Sequence, residues 1–301
     1  MEKILVANLG EFGLIERFRK QIRTDPSVIK GSGDDCAVIK FSPDKYLLFT
    51  CDMIVEKVDF LAQDKPELIG RKALSLSISD IAACGGIPRY CLISMGLPKN
   101  TALKEVDGIY RGIKKLAQKF KINMVGGDLS RSERITIDVS MLGLVEKKYL
   151  VLRSGAKKGD IIFVTGSLGG SMLGKHLKFM PRLKEARLLV ENFKINSMID
   201  ISDGLIQDLG HILKQSQAGA IIYENLIPLS NQAKDLNDAF YGGEDFELLF
   251  TLPRNQAGRL SRKRWPGFKP IGEIVNKKYG LRLIDKKGRE KVLCAKGFTH
   301  F

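Results

Sequence analysis

The chain has 301 residues, 44% of them hydrophobic and 28% charged, an ordinary balance for a globular protein of one large or two medium domains. A formal net charge of +15 raises nucleic acid as a partner, but the basic residues are scattered and carry no aromatic-interleaved motif. We therefore expect no nucleic acid, and read the charge as a field that favours anionic small molecules. No apolar run nears the roughly 18 residues of a membrane span, and the start lacks a signal-peptide layout, so no membrane and a cytoplasmic location are expected. Five cysteines without CxxC spacing argue against a disulfide framework, and three histidines argue against a His-rich metal site or a His-based triad.

In chain order, the first acidic motif is Gly31-Ser32-Gly33-Asp34-Asp35. Residues 46–52 read as a strand that carries Thr50 and Cys51 and ends at Asp52. Pro66 suits the first turn of a helix running to 84, on which Ala73, Ser77, Asp80 and Cys84 share one face. A strand is expected over 89–97 after Ile87-Pro88, then an amphipathic helix over 103–120. A short strand should deliver Gly126-Gly127-Asp128 at its end, and alternation over 135–145 predicts another strand. The polar stretch 147–159 reads as a connection, giving expected domains 1–147 and 148–301.

The second half restarts with a strand over 161–165. Gly169 to Lys175 has the GxxxxGK spacing of a phosphate-binding loop, but His176 stands where that loop needs Ser or Thr, so we read it as a decoy. Asp200-Ile201-Ser202-Asp203-Gly204 leads into an apolar helical stripe of Leu205, Ile206, Leu209, Ile212 and Leu213, with Ser202 and Asp203 at cap positions. His211 on that stretch reads as structural. A last glycine-rich acid is Gly242-Gly243-Glu244-Asp245.

Each acidic motif alone reads as a turn. Together they point elsewhere. Hard cations such as Mg²⁺ take oxygen ligands, a few from carboxylates and the rest from substrate phosphates and water. If the aspartates converge, each close pair repels by about 4 kcal/mol at 4 Å and an effective dielectric of 20, which calls for cations.

On these residues the chain resembles the thiamine-monophosphate kinase family, within the wider aminoimidazole ribonucleotide synthetase superfamily. The resemblance runs from Gly10-Glu-Phe-Gly-Leu-Ile15 through Gly33-Asp-Asp-Cys-Ala-Val38, Lys72-Ala-Leu and Ser79-Asp-Ile-Ala-Ala-Cys-Gly85. It continues through Gly126-Gly-Asp128, Arg153-Ser-Gly-Ala-Lys157, Ile199-Asp-Ile-Ser-Asp-Gly-Leu205, Gly242-Gly-Glu-Asp-Phe-Glu-Leu248 and the terminal Lys296-Gly-Phe-Thr-His-Phe301.

It implies an α/β protein of two mixed-sheet domains, pairing as a homodimer through the N-terminal domain, that transfers the ATP γ-phosphoryl group to thiamine monophosphate. Carried over by motif, Asp35, Asp52, Asp80, Asp128 and Asp200 would hold several Mg²⁺ ions, Asp34 would support them, and Asp203 would hold a further one. Thr50 and Cys51 would line the same metal site, while Gly127, Asp128, Arg153, Ser202 and Tyr110 would contact the nucleotide. Glu244 would meet thiamine. No covalent nucleophile or side-chain base is implied, since the acceptor phosphate is already anionic.

Three positions depart from the family pattern. Cys51 replaces a threonine, Asp59 a substrate-facing histidine, and Ala295 an aromatic whose stacking would pass to Phe298. The nucleotide half of the site is thus better kept than the substrate half. This leaves as alternatives a related ATP-dependent enzyme acting on another small acceptor, or a non-catalytic binder of nucleotide or thiamine phosphate.

Overall fold

The computed structural model describes residues 5–262, 267–295 and 297. The first half runs α1 (Val6–Arg19), β1 (Val28–Lys30), β2 (Ala37–Lys40), β3 (Lys45–Val55), α2 (Pro66–Ala83), β4 (Ile87–Leu97), α3 (Leu103–Phe120), β5 (Asn123–Arg131) and β6 (Thr136–Glu146). Its six strands form one sheet in the order β1-β2-β3-β6-β4-β5, with β4 and β5 parallel.

The second half runs β7 (Ile161–Thr165), α4 (Lys175–Lys178), α5 (Leu183–Asn192), β8 (Ser197–Asp200), α6 (Leu205–Ser216), β9 (Ala218–Tyr223) and α7 (Leu236–Tyr241). It closes with β10 (Leu248–Leu252), α8 (Arg254–Arg262), β11 (Phe268–Asn276), β12 (Leu281–Ile284) and β13 (Glu290–Leu293). These strands form a seven-stranded sheet, β13-β12-β9-β11-β7-β10-β8, with β9 and β12 parallel. The fold class is therefore mixed α/β with two mixed sheets.

Strand alternation decides which side chains reach the interior. On β3, Leu48, Thr50, Asp52 and Ile54 face α2, while Phe49, Cys51 and Met53 fall on the opposite, exposed face. The neighbouring β6 buries Ile137, Val139, Met141 and Val145 on the α2 side. Against them α2 is almost wholly buried, because its small residues admit close neighbours on every side. Its contact with α3 is backbone to backbone. A methyl group on Gly70 would lie 1.9 Å from Ile109 O, and one on Gly112 would lie 2.0 Å from Glu67 O.

The core does not stop at the middle of the chain. Ile69, Leu74, Ile78 and Ile81 of α2 belong to the same buried cluster as Phe163, Leu189 and Phe250 of the second half. A separate cluster packs Leu205, Leu209 and Ile212 of α6 against Ile222, Ile271 and Ile274. Among the described residues no helix is long and apolar enough to cross a membrane.

Three expectations from sequence need correction. Strand β5 continues to Arg131, so Gly126-Gly127-Asp128 lies inside a strand rather than at its end. Strand β4 begins at Ile87 and takes in Pro88, at a register irregularity where a missing N–H is tolerated. The N-cap of α6 is Gly204, with φ of 112°, not Ser202 or Asp203. Gly204 turns that way because Phe240 O crowds it, 2.6 Å from where a Cβ would stand.

Candidate active site

Helix α2 lies between the two sheets and offers polar groups to both. Toward the first, Ser77 Oγ donates to Asp52 Oδ2 (2.7 Å), and Asp80 Oδ2 accepts from Thr50 Oγ1 (2.5 Å). Toward the second, Ser79 Oγ donates to Asp200 Oδ2 at the end of β8 (2.6 Å). The loop before β2 brings in Asp34 and Asp35. Arg153, in the connection between the sheets, holds both. Its Nη2 reaches Asp35 Oδ1 at 2.7 Å, and its backbone N–H donates to Asp34 Oδ1 at 3.1 Å.

Carboxylate oxygens of Asp35, Asp80 and Asp200 lie within 4.8 Å of one another. Burial pushes Asp34 and Asp52 up to about 6 and Asp200 to about 7, with neighbouring aspartates adding to each rise. Asp80 is raised well above the usual range, first by burial and then by Asp52 and Asp200. Burial alone would lower Arg153, but Asp35 and Asp34 outweigh it and keep the guanidinium charged. One oxygen shows what the set lacks. Asp35 Oδ2 is buried and has no hydrogen-bond partner among the described residues, while Oδ1 carries both bonds from Arg153. A crowd of buried carboxylates with an unused oxygen fits a hard divalent cation.

The structure does not bring every expected ligand to this point. Cys51 lies on the exposed face of β3, turned away from Thr50 and Asp52, so its thiol is no part of the set. Asp128 does not join it within this chain, because β6 and β4 separate β5 from β3. Gly127, Asp128 and Tyr110 instead line a cavity of about 810 Å³ with Val106, Arg111 and Lys114.

Asp203 belongs to a second group, its carboxylate within 4.8 Å of ligand atoms of Asp208 and His211. This group lines a cavity of about 330 Å³ with Ser202, Arg153 and Lys214. Asp208, absent from the sequence reading, accepts from Asp203 N–H (3.0 Å), and burial lowers His211 to about 4. Their spacing of three along one helix was a usable signal.

A further buried polar group takes in Glu244 and is built around Lys72. Fully buried on α2, it donates to Glu244 Oε1 and Oε2 (2.6 and 2.8 Å) and to the Asp59 carbonyl (2.7 Å), with His176 Nδ1 at 3.2 Å. His176 also stands 3.1 Å from Glu244. Burial alone would raise the Glu244 pKa, but His176 and Lys72 overcome it and hold the carboxylate below its ordinary value. Sequence reasoning gave neither Lys72 nor His176 a role.

Asp59 lines a cavity of about 320 Å³ with Phe60, Met172, Leu173 and His176. Its carboxylate also accepts from Val55 N–H (2.7 Å) and so caps a turn. Ala295 packs on α6, where a methyl on Gly210 would come within 2.6 Å of its Cβ. Phe298 lies outside the described residues.

The GxxxxGK segment is a decoy in three dimensions too. Its Gly169 N–H and Ser171 hydroxyl bind the chain's own Asp245, at 2.8 and 2.5 Å. Lys175 pairs with Asp245 and Glu247. The loop's anion seat is filled from within.

Comparison with known proteins bears on the fold and the family. Residues 33–145 match the family model of the AIR synthase related protein N-terminal domain, and residues 149–284 that of its C-terminal domain. A thiamine-monophosphate kinase of Buchnera aphidicola (Schizaphis graminum) is 36% identical over 97% of this chain and 99% of its own length. That of Aquifex aeolicus is 35% identical over 97% and 98%, and that of Bacillus subtilis 32% over 97% and 100%. A solved structure described as AaThiL complexed with AMPPCP and TMP superposes with a TM-score of 0.87, at 32% identity and over the whole of both chains. Hydrogenase maturation protein HypE in complex with ATP shares the fold, with a TM-score of 0.72 at 18% identity over 90% of each chain.

Proposed function

The chain belongs to the thiamine-monophosphate kinase family, and we propose that it transfers the γ-phosphoryl group of ATP directly to the phosphate of thiamine monophosphate, giving thiamine diphosphate and ADP. The observation that carries this reading is the convergence of Asp35, Asp80 and Asp200 around a buried oxygen without a partner, beside Arg153. It is supported by the solved relative in complex with AMPPCP, an ATP analogue, and TMP.

The acceptor is a phosphate oxygen that is already anionic, so the chain needs neither a nucleophile nor a base. Its task is to bring two polyanions together in line. Asp35, Asp52, Asp80 and Asp200, with Asp34 and the Thr50 hydroxyl, would hold Mg²⁺, which when bound neutralises phosphate charge. Asp203, with Asp208 and His211 beside it, is assigned a further ion. Arg153 keeps a fixed positive charge at the phosphates, oriented by Asp35. Ser202, Gly127, Asp128 and Tyr110 are assigned to the nucleotide. Glu244, held by Lys72 and His176, is assigned to the cationic thiamine ring system, which a carboxylate complements.

A second copy of the chain is the proposed partner, meeting the face of the first sheet that α2 leaves uncovered. There Phe49 and Met53 are 44% and 60% exposed, and across β6 on the same face Tyr90 and Leu92 of β4 are 47% and 46% exposed. We place the enzyme in the cytoplasm.

The deciding assay supplies ATP, Mg²⁺ and thiamine monophosphate and follows both products. Equal amounts of ADP and thiamine diphosphate, abolished by EDTA, are expected. ADP without thiamine diphosphate would overturn the acceptor assignment.

A further inference from the structure

Helix α3 carries Arg111, Lys115 and Lys119 at spacings of four, so three cations stand one turn apart on a single face. Like charges at that spacing repel and weaken a helix, and an anion seated along them would remove the cost. Arg71 of α2 adds a fourth cation, and the four line a groove of about 460 Å³ between the two helices.

Only one carboxylate in the groove answers them, Glu67, which pairs with Arg111 at 2.8 Å. Among the described residues Lys115 makes no ion pair, and Lys119 reaches only the Met180 sulfur, at 3.4 Å. Arg71 is half-buried and meets no acid there either. Its Nη2 donates to the carbonyls of Lys178 (3.0 Å) and Phe179 (2.5 Å). Those bonds hold the guanidinium plane still and leave Nε and Nη1 without a partner among the described residues. A fixed guanidinium with free donors suits paired phosphate oxygens. Leu68 and Leu116 add an apolar wall, which strengthens the field of the cations.

We propose that this groove binds a diphosphate group, inorganic or carried by a small organic molecule, with Arg71 holding it from α2 and Lys115 and Lys119 from α3. Three unanswered positive charges exceed what a single phosphate ester, at about −1.5 to −2, would balance. No aromatic ring lines the groove to stack a base, which disfavours a nucleic-acid strand. Arg71 precedes Asp80 by nine residues on α2, roughly 13.5 Å along the axis. The groove shares only Arg111 with the cavity lined by Gly127 and Asp128. It is thus a site apart from the acidic set, and it does not rest on the proposed function.

The test titrates inorganic pyrophosphate into the full-length protein by calorimetry, in EDTA so that no metal recruits the anion to the aspartates. Binding of one equivalent is expected, weakening as salt rises. Lys115→Ala/Lys119→Ala changes two exposed side chains, so Tm should hold while affinity falls at least about 10-fold, the scale of one charge-assisted hydrogen bond. Arg71→Lys keeps the charge but loses the fork, and should weaken binding as well. No binding by the parent, or undiminished affinity in the double variant, would overturn the site. Sulfate held as tightly as pyrophosphate would overturn it too, leaving an anion surface only. Duplex DNA bound by a parent that ignores pyrophosphate, and lost in the double variant, would overturn it in favour of nucleic acid. ADP and thiamine diphosphate, each compared between parent and double variant, separate the sources. Affinities equal to that of pyrophosphate mean that the diphosphate alone is read, and a tighter organic diphosphate identifies the occupant.

Discussion

Replacing Lys72 by methionine removes the cation from the enclosed ion pair it makes with Glu244. Its side chain is fully buried and that of Glu244 only 21% exposed, so water cannot readily take the lysine's place. The change leaves Glu244 with His176 alone and the Asp59 carbonyl without its donor. Breaking a buried pair from one side costs about 3–5 kcal/mol. With Glu244 partly exposed and still beside His176, we expect the lower end, about 3 kcal/mol. At roughly 2–4 °C per kcal/mol for chains of this order, Tm should fall by about 6–12 °C. Glu244→Leu alone should also destabilise, by stranding the lysine. The Lys72→Met/Glu244→Leu double variant should recover a large part of the loss, with a coupling of about 2 kcal/mol in a double-mutant cycle. A single variant within 2 °C of the parent (roughly 1 kcal/mol on the same scale), or strictly additive losses, would refute the claim that Lys72 exists to hold Glu244.

Further outcomes follow from the same geometry. Asp80→Asn should lower kcat by at least about 100-fold, on the scale of losing a transition-state electrostatic contact. It should also raise the Tm of the metal-free protein, since the amide does away with a buried carboxyl whose ionisation burial and the neighbouring aspartates oppose; near-normal turnover would remove Asp80 from the site. Lys175→Ala should leave kcat within a few-fold yet lower Tm, because Lys175 neutralises Asp245 and Glu247 rather than a phosphate. A large loss of kcat with no change in Tm would count against the decoy reading. For pH, Asp34 and Asp52 titrate near 6 and Asp200 near 7 in the folded chain, against about 3.9 in an unfolded one. Raised pKa values mean stability that is full below about pH 4 and lost as pH rises through 6 to 7 in the metal-free protein. Mg²⁺ should flatten that fall, and a metal-free melting curve independent of pH between 4 and 8 would contradict the raised values.

Much of the site was legible because its chemistry is local. Asp80 follows Ser79 on a small-residue helix face, and Asp35, Asp52 and Asp200 each stand within two residues of glycine, threonine or serine, next to strand-like apolar runs that the sequence shows directly. Strand alternation even contained the correction for Cys51, since a residue between Thr50 and Asp52 must face the other way. Lys72 was not legible. A lysine within a helix reads as surface unless its partner is known, and Glu244 lies 172 residues away. The same holds for His176, dismissed as the mismatch in a phosphate loop, whose role depends on that pair. Asp203 was misplaced for a subtler reason. Its cap position was taken over by Gly204, under pressure from Phe240 O on another helix, which local sequence does not report.

Helix α2 supplies Ser77 and Asp80 to one sheet and Ser79 to the other, and so sets a rule for where this chain can change length. One residue inserted between Gly70 and Ser77 would rotate everything beyond it by about 100°. Ser77, Ser79 and Asp80 would leave their partners in a single step. No compensating substitution elsewhere could restore three contacts to two different sheets. Length variation must therefore fall in the connections, such as the polar stretch 147–159, while α2 keeps its residue count as strictly as its chemistry.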